Sequence, residues 1–155
     1  MAIDIEKEYN SLAKKYKLPS FTDINDDFEV SDIESSEFIL RNVLRKMAEK
    51  LEFYTGLISE ILQPDASSLS NMHETRFFND ADKTGMYELF KRMMKNYREI
   101  ISLVLNNDEK EQAMFLSEFY GEWAGMKKQL LSYLDRMKNS WENETTIKED
   151  LGYFG

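Results

Sequence analysis

The sequence contains no cysteine, one histidine, two prolines and six glycines among its 155 residues. Without cysteine, the chain offers no disulfide, no thiolate zinc site and no iron–sulfur cluster. A single histidine excludes histidine-rich metal sites, including the ferritin-like di-iron site with its two Glu-x-x-His motifs. The scarcity of glycine and proline argues against an all-β fold built on many tight turns. The composition thus excludes most common metal-binding and cysteine-dependent sites.

Long hydrophobic runs are also missing, and the charge is one-sided. No apolar stretch approaches the ~20 residues that span a bilayer, and Met1–Glu8 resembles neither a signal peptide nor a transit peptide. The net charge of −9 opposes uniform binding to nucleic acid or anionic membrane, which would need a local basic patch. Since no glycine-rich phosphate loop occurs, we expect no cofactor. The absence of cysteine fits a reducing interior, and we expect a cytoplasmic protein.

Three long helices are predicted by apolar residues that recur at alternating spacings of three and four. A shorter helix over residues 3–17 precedes them, and Pro19 ends it by disfavouring helical backbone at Leu18. Short connectors favour antiparallel neighbours. We predict one all-α domain over residues 1–155, an antiparallel helical bundle of three long helices plus a shorter N-terminal helix, with an acidic and aromatic tail at 142–155. The three apolar stripes are Leu40, Leu44, Met47, Leu51, Tyr54, Ile58 and Ile61; Met86, Phe90, Met93, Tyr97, Ile100 and Val104; and Leu116, Phe119, Trp123, Met126, Leu130, Tyr133, Met137 and Trp141.

The helix ends carry capping patterns. Ser31-Asp32-Ile33-Glu34 resembles a capping box, in which the serine accepts from an amide and the glutamate reaches back, so it predicts the start of the first long helix. Pro64 ends that helix. Asp108, three residues before Glu111, repeats the same pattern and predicts the start of the third long helix.

One acidic segment resembles the calcium loop of an EF-hand, whose oxygen ligands recur at fixed offsets. Asp23, Asn25 and Asp27 occupy the first three ligand positions, and Glu34 occupies position 12. Phe28, however, stands where the sharp turn of the loop requires glycine.

A second segment has the glycine but lacks the last ligand. Asp80 and Asp82 precede Gly85, yet Lys91 stands where the bidentate carboxylate belongs. Carboxylates also suit the positive end of a helix dipole, and we favour acid-rich helix starts over a calcium- or metal-binding protein at both segments.

Basic residues cluster on two of the predicted helices. Arg41 and Arg45 lie on the first long helix, and Lys91, Lys95 and Arg98 share one face of the second. If these helices pack antiparallel, the clusters adjoin and are candidates to bind a phosphate backbone or another anion. A solvated face with local ion pairs is the simpler interpretation.

The one histidine, His73, lies in the connector before the second long helix. A lone histidine can act as a general base. No Ser-His-Asp spacing supports this role, and the apolar neighbours Met72 and Phe77 favour a packed loop. We assign no catalytic residue and lean towards a protein that is not an enzyme.

Two features concern helix packing. Gly121 and Gly125 cost about 2 kcal/mol together relative to alanine inside a helix, which favours close packing there, with a kink or a partner groove as alternatives. Additional apolar residues widen the stripes beyond a narrow seam, so a fourth helix or a second copy of the chain is expected to cover them. These residues are Leu57, Leu62, Met94, Ile101, Leu105 and Leu131.

Three short segments resemble a small archaeal all-helical family of uncharacterised function. They are Leu18-Pro19-Ser20-Phe21, Phe28-Glu29-Val30-Ser31 and Glu149-Asp150-Leu151-Gly152-Tyr153. The resemblance implies a cytoplasmic archaeal protein and no particular site.

A fainter resemblance is to the helical domain of archaeal GINS replication subunits. It runs over Leu40-Arg41 through Lys46, over Asp82-Lys83 and over Tyr87-Glu88-Leu89, and it lacks the small β-domain usual in that family.

Three functional hypotheses follow from the sequence. The first is a non-enzymatic helical bundle that acts through protein–protein interaction or as a homodimer, with the acidic residues of 20–40 and the aromatic tail as candidate surfaces. The second is a nucleic-acid-associated scaffold subunit that uses the basic helix faces. The third is a metal-dependent protein or an enzyme that depends on His73.

Overall fold

The computed structural model describes residues 4–151, and these residues are helices and connecting loops without a β-strand. The all-α prediction is confirmed. The last four residues of the predicted tail, 152–155, lie outside the described residues. The α-helices are α1 (Ile5–Tyr16), α2 (Phe21–Phe28), α3 (Ile39–Leu62), α4 (Leu69–Thr75), α5 (Asp80–Asn106), α6 (Glu109–Ser140) and α7 (Ile147–Leu151), with a short 3-10 helix at Val30–Asp32.

The predicted apolar stripes form the core. Leu51, Met93 and Leu130, one from each long helix, are almost fully buried. Burying one such side chain contributes about 1.5–3 kcal/mol relative to leaving it exposed. Most other stripe residues are buried as well, whereas Trp141 at the end of the third stripe is half-exposed. Alternating spacings of three and four therefore identified the core faces correctly.

The chain divides into two compact units, residues 1–52 with 95–124 and residues 53–94 with 125–155. In the first unit, α1 and α2 meet through Tyr9, whose hydroxyl donates to the Pro19 carbonyl oxygen at 2.7 Å. Burial, followed by the nearby Tyr120, raises the pKa of Tyr9 well above its ordinary value. Ser20 caps α2 by accepting from the Asp23 amide at 3.2 Å.

The first long helix starts later than the capping pattern at Ser31–Glu34 predicts. The Ser31 amide donates to the Asn25 side-chain oxygen at 2.8 Å, and Val30 and Ile33 are buried. These contacts hold the segment in a 3-10 turn and an extended link. The predicted start at Ser31 is therefore wrong, because burial of Val30 and Ile33 outweighs the local capping signal. The predicted cap at Asp108 is correct, since its side chain accepts from the Glu111 amide at 3.1 Å.

The second unit secures its helix ends with side chains. Thr75 donates from its hydroxyl to the Ile61 carbonyl oxygen at 2.7 Å, which satisfies a terminal acceptor of α3. Asn79 and Asp82 form a reciprocal capping box at the start of α5, with distances of 2.8 and 3.1 Å. The connector that the sequence predicts before α5 contains a short helix, α4, and Ser68 caps its N-terminus.

The glycines of α6 do not serve the close packing that the sequence favoured. A Cβ atom added at Gly121 or Gly125 would meet no heavy atom within 4 Å. By contrast, a Cβ atom at Gly85 would lie 2.7 Å from the Tyr133 hydroxyl oxygen. The close approach therefore occurs at Gly85, which the sequence analysis considered only as a calcium-loop glycine.

Hydropathy along the helices bears on membrane association. Within residues 4–151, every helix is either too short or too polar to span a lipid bilayer.

Candidate interaction surfaces

The first calcium-like segment lies on a helix rather than in a loop. Asp23, Asn25 and Asp27 belong to α2, where side chains two residues apart point in different directions. Asn25 accepts from the Ser31 amide, and the Asp27 carboxylate accepts from the Trp123 indole at 2.9 Å. These oxygens are therefore engaged with the protein itself. Glu34 follows the 3-10 helix and is exposed.

The second calcium-like segment is the first turn of α5. Asp82 forms two hydrogen bonds with the Arg136 guanidinium, both at 2.7 Å, and Asp80 lies exposed beside it. The hydrogen bonds from Arg136, then from the Asn79 amide, lower the pKa of Asp82 from 3.8 to about 2. Among residues 4–151, no three acidic or histidine side chains are grouped so as to hold a metal ion. Metal binding stays a prediction of the sequence.

The five basic candidates have different surroundings. Lys91 belongs to the second unit and pairs with Glu88 at 2.8 Å. Arg41, Arg45, Lys95 and Arg98 belong to the first unit, and none of them forms an ion pair with a carboxylate of residues 4–151.

Arg41 is the most unusual of these residues. Its guanidinium lies 4.3 Å from the ring centre of Phe38, and its Nε atom is buried without a hydrogen-bond partner. Phe38 is half-exposed and has a φ of 53°, a left-handed conformation that is rare for a bulky residue. Arg45 is exposed one helical turn further along α3. The three side chains form an aromatic and cationic surface at the start of α3.

His73 is buried in the second unit and holds the tail. Its Nδ1 atom lies 2.9 Å from the Asp150 carboxylate, and its Nε2 atom lies 2.9 Å from the Ser140 carbonyl oxygen. Because a carbonyl oxygen only accepts, Nε2 carries the hydrogen of that bond. Arg76 donates to the same Asp150 oxygen at 2.8 Å. The ring stacks on Trp141 with a centroid distance of 3.9 Å.

This arrangement favours a structural role for His73. Both ring nitrogens are engaged, and the side chain is 3% exposed, so substrate would have to displace existing hydrogen bonds. The packed interpretation of the connector thus agrees with the geometry. Sequence reasoning missed the partner, Asp150, because 77 residues separate the two side chains.

Exposed apolar side chains occur near the end of α5 and near the start of α6. Leu105 is 87% exposed, Ile101 is 42% exposed one helical turn before it, and Met114 is 56% exposed on α6. Ile101 and Leu105 were expected to be covered by a further helix or a second copy. Residues 4–151 leave both side chains uncovered.

Met114 also lines a groove that lies wholly within the first unit and encloses about 270 Å³. Its α6 wall consists of residues at helical positions 0, 3, 4 and 7, which share one face. Sequence reasoning missed this face because it considered only Glu111, as part of the capping pattern that begins at Asp108. The lining residues of this α5–α6 groove are Glu99, Leu103, Glu111, Met114, Phe115 and Glu118.

The acids of the groove lack cationic partners in the described chain. Glu99, Glu111 and Glu118 form no ion pair with residues 4–151, whereas Glu109 on a neighbouring face of α6 pairs with Lys15 at 3.8 Å. Phe115 stacks on Phe119 with a centroid distance of 5.7 Å. The groove thus combines an apolar floor with three carboxylates that form no ion pair in the described chain, although Glu111 accepts from the Asn106 side chain at 3.5 Å.

Comparison of the chain with protein-family models, with curated proteins and with solved structures found no match in any of the three.

Proposed function

We propose that this protein is a non-enzymatic helical protein that works by binding another protein. The observation that carries the proposal is the pair of exposed apolar side chains Ile101 and Leu105, which lie one helical turn apart on α5. Single exposed apolar residues are ordinary, but neighbouring ones on ordered helices mark interaction sites more often. Both are among the additional apolar residues that the sequence predicts to be covered.

We extend the proposal to the arrangement of the helices. The three long helices α3, α5 and α6 form an antiparallel bundle with α1 packed against it, as short connectors favour. A bundle of this kind offers rigid helix faces, and a rigid face loses little conformational entropy when a partner binds. A cytoplasmic location, membership of the archaeal helical family and a homodimer remain further predictions from the sequence.

Site-specific photo-crosslinking in the cells that make the protein tests the proposal. A photoreactive amino acid at Leu105 is expected to give a discrete adduct with one protein, because this side chain is the most exposed large apolar residue of the described chain. The matched control carries the same group at Lys128, an exposed position elsewhere on α6. Equal adducts at both positions, or none at Leu105, would contradict the proposal.

A specific observation favours nucleic-acid binding as the second candidate. The Arg41 guanidinium forms no ion pair in the described chain and lies 4.3 Å from the half-exposed Phe38 ring, and single-strand binders combine such cations with aromatic rings. The net charge of −9 opposes it. Electrophoretic shift of a single-stranded oligonucleotide at low salt, lost in Arg41→Gln, would support this candidate. Absence of a shift would remove it.

A further inference from the structure

The α5–α6 groove has an apolar floor that is held in place from below. Phe115 stacks on Phe119, and Phe119 stacks on Trp123, both with centroid distances of 5.7 Å and interplanar angles of 21°. Phe119 and Trp123 are buried, so the stack anchors the half-exposed Phe115. Met114 beside it is flexible and polarisable, as side chains at adaptable binding surfaces often are.

The carboxylates around this floor determine the charge of the occupant. Glu99, Glu111 and Glu118 stand around the groove, and no cation of residues 4–151 pairs with them. A cationic partner would be attracted to these carboxylates without having to displace an existing ion pair. An occupant with both basic and apolar groups therefore fits the groove better than a neutral or acidic one.

The size and form of the groove favour a helix as occupant. Its volume of about 270 Å³ lies below the ~300–1,000 Å³ typical of small-molecule sites. A groove of this size takes one or two anchoring side chains. An amphipathic helix supplies such anchors along one face and places lysine or arginine beside them.

A second copy of this chain is a poor occupant. Each copy carries a net charge of −9, and two such chains repel at moderate ionic strength. The acidic residues of 20–40 add to this repulsion in the same unit as the groove.

We infer that the α5–α6 groove binds a basic amphipathic helix of a partner protein. This inference rests on the proposed function and adds a binding site on the same two helices, with the chemistry of the partner that it fits. The apolar face of the partner helix contacts Leu103, Met114 and Phe115, and its basic residues pair with the three glutamates.

Two fluorescent peptides test the inference by anisotropy. The first is an amphipathic helix of about 18 residues with leucine on one face and lysine beside it, long enough to cover the groove. The second has glutamate in place of every lysine. We expect the lysine peptide to bind at least about tenfold more tightly, with an affinity that falls as salt rises. Equal binding of the two peptides, or no binding of the lysine peptide, would overturn the inference.

Charge variants distinguish peptide binding in the groove from attraction to the net charge of the chain. Glu99→Gln with Glu118→Gln is expected to weaken lysine-peptide binding about fivefold, since each exposed charge pair contributes modestly. The matched control, Glu60→Gln with Glu142→Gln, changes the net charge equally at exposed sites of the second unit. If both double variants weaken binding equally, the peptide recognises the charge of the chain and the inference is wrong.

Two variants at apolar residues test the floor of the α5–α6 groove. Met114→Ser should weaken lysine-peptide binding about three- to tenfold, whereas Leu69→Ser, at a similarly exposed apolar residue of α4, should leave it unchanged. Equal effects would overturn the inference and leave a discrete crosslink at Leu105 standing. Absence of that crosslink contradicts the proposed function itself.

Discussion

Each of the two units contains one tryptophan whose indole N–H donates to a carboxylate on another element, yet the two sites differ in burial. Trp123 is 3% exposed, and its Nε1 atom lies 2.9 Å from the Asp27 carboxylate. Trp141 is 50% exposed, and its Nε1 atom lies 3.3 Å from the Glu74 carboxylate. Water can replace the bond at Trp141 more easily than the bond at Trp123.

The neighbours of the two indoles explain this difference. Trp123 packs against Phe28 and Phe119, with centroid distances of 5.2 and 5.7 Å, in an aromatic cluster that belongs to the core. Trp141 instead covers His73, the buried group that holds the tail. The same side-chain chemistry thus supports apolar packing in one unit and shields a polar network in the other.

Removing the centre of the aromatic cluster should have the largest effect. Phe28→Ala deletes a fully buried ring that contacts both Phe119 and Trp123, and it should lower the free energy of unfolding by about 3–5 kcal/mol. Urea denaturation measures the loss. Phe77→Ala, at the half-buried ring beside His73, should cost less. An equal cost at the two positions would contradict the difference in burial.

Removing the polar centre of the second unit should have the next largest effect. His73→Ala leaves the buried Asp150 with Arg76 as its main partner and opens a cavity, at a cost of about 2–3 kcal/mol. Amide hydrogen exchange should accelerate in α7 and much less in α2. Thr145→Val, which removes two longer contacts of the same network, 3.3 Å to Asp150 and 3.5 Å to His73, is the mild control. Unchanged exchange in α7 would contradict the role assigned to His73.

The two indole hydrogen bonds should differ measurably in strength. Asp27→Asn weakens a charge-assisted bond to a buried indole and should cost about 1 kcal/mol, whereas Glu74→Gln should cost less than about 0.5 kcal/mol. The indole proton resonances in nuclear magnetic resonance spectra report each bond directly. Asp26→Asn, at an exposed neighbour on α2, is the control. A larger loss in Glu74→Gln would reverse the comparison.

A smaller effect is expected at the exposed pair of Asp82 and Arg136. The pKa of Asp82 is lowered from 3.8 to about 2, so its ionised form stabilises the fold above the unfolded value. This contribution is lost as pH falls from 3.8 through about 2. Arg136→Gln should return the pKa of Asp82 towards 3.8 in a carboxyl titration followed by nuclear magnetic resonance. An unchanged titration would show that Arg136 is not the main cause.

The sequence predicted local features well and distant contacts poorly. The alternating stripes identified Leu51, Met93 and Leu130 as core residues, because helical periodicity depends only on residues in adjacent turns. The cap at Asp108 was equally local. At Ser31, by contrast, tertiary burial of Val30 and Ile33 overrode a correct-looking capping pattern.

The sequence predicted only part of the candidate surface. Excess apolar residues such as Leu105 were visible on α5, but their exposure depends on what the rest of the chain covers. Lys95 stands four residues before Glu99, a spacing that favours a local ion pair, yet the two side chains form none in the described chain. A lone histidine gave no sign of Asp150, since the contact is made only when α7 packs on α4.

Chemical-shift mapping with the lysine peptide tests the central claim most directly, because it observes both units in one spectrum. If the α5–α6 groove is the docking surface, the amides of Glu99, Met114 and Phe115 shift on titration, while the indole resonance of Trp141 stays in place. Shifts centred on Trp141, or a spectrum that does not change, would contradict the account.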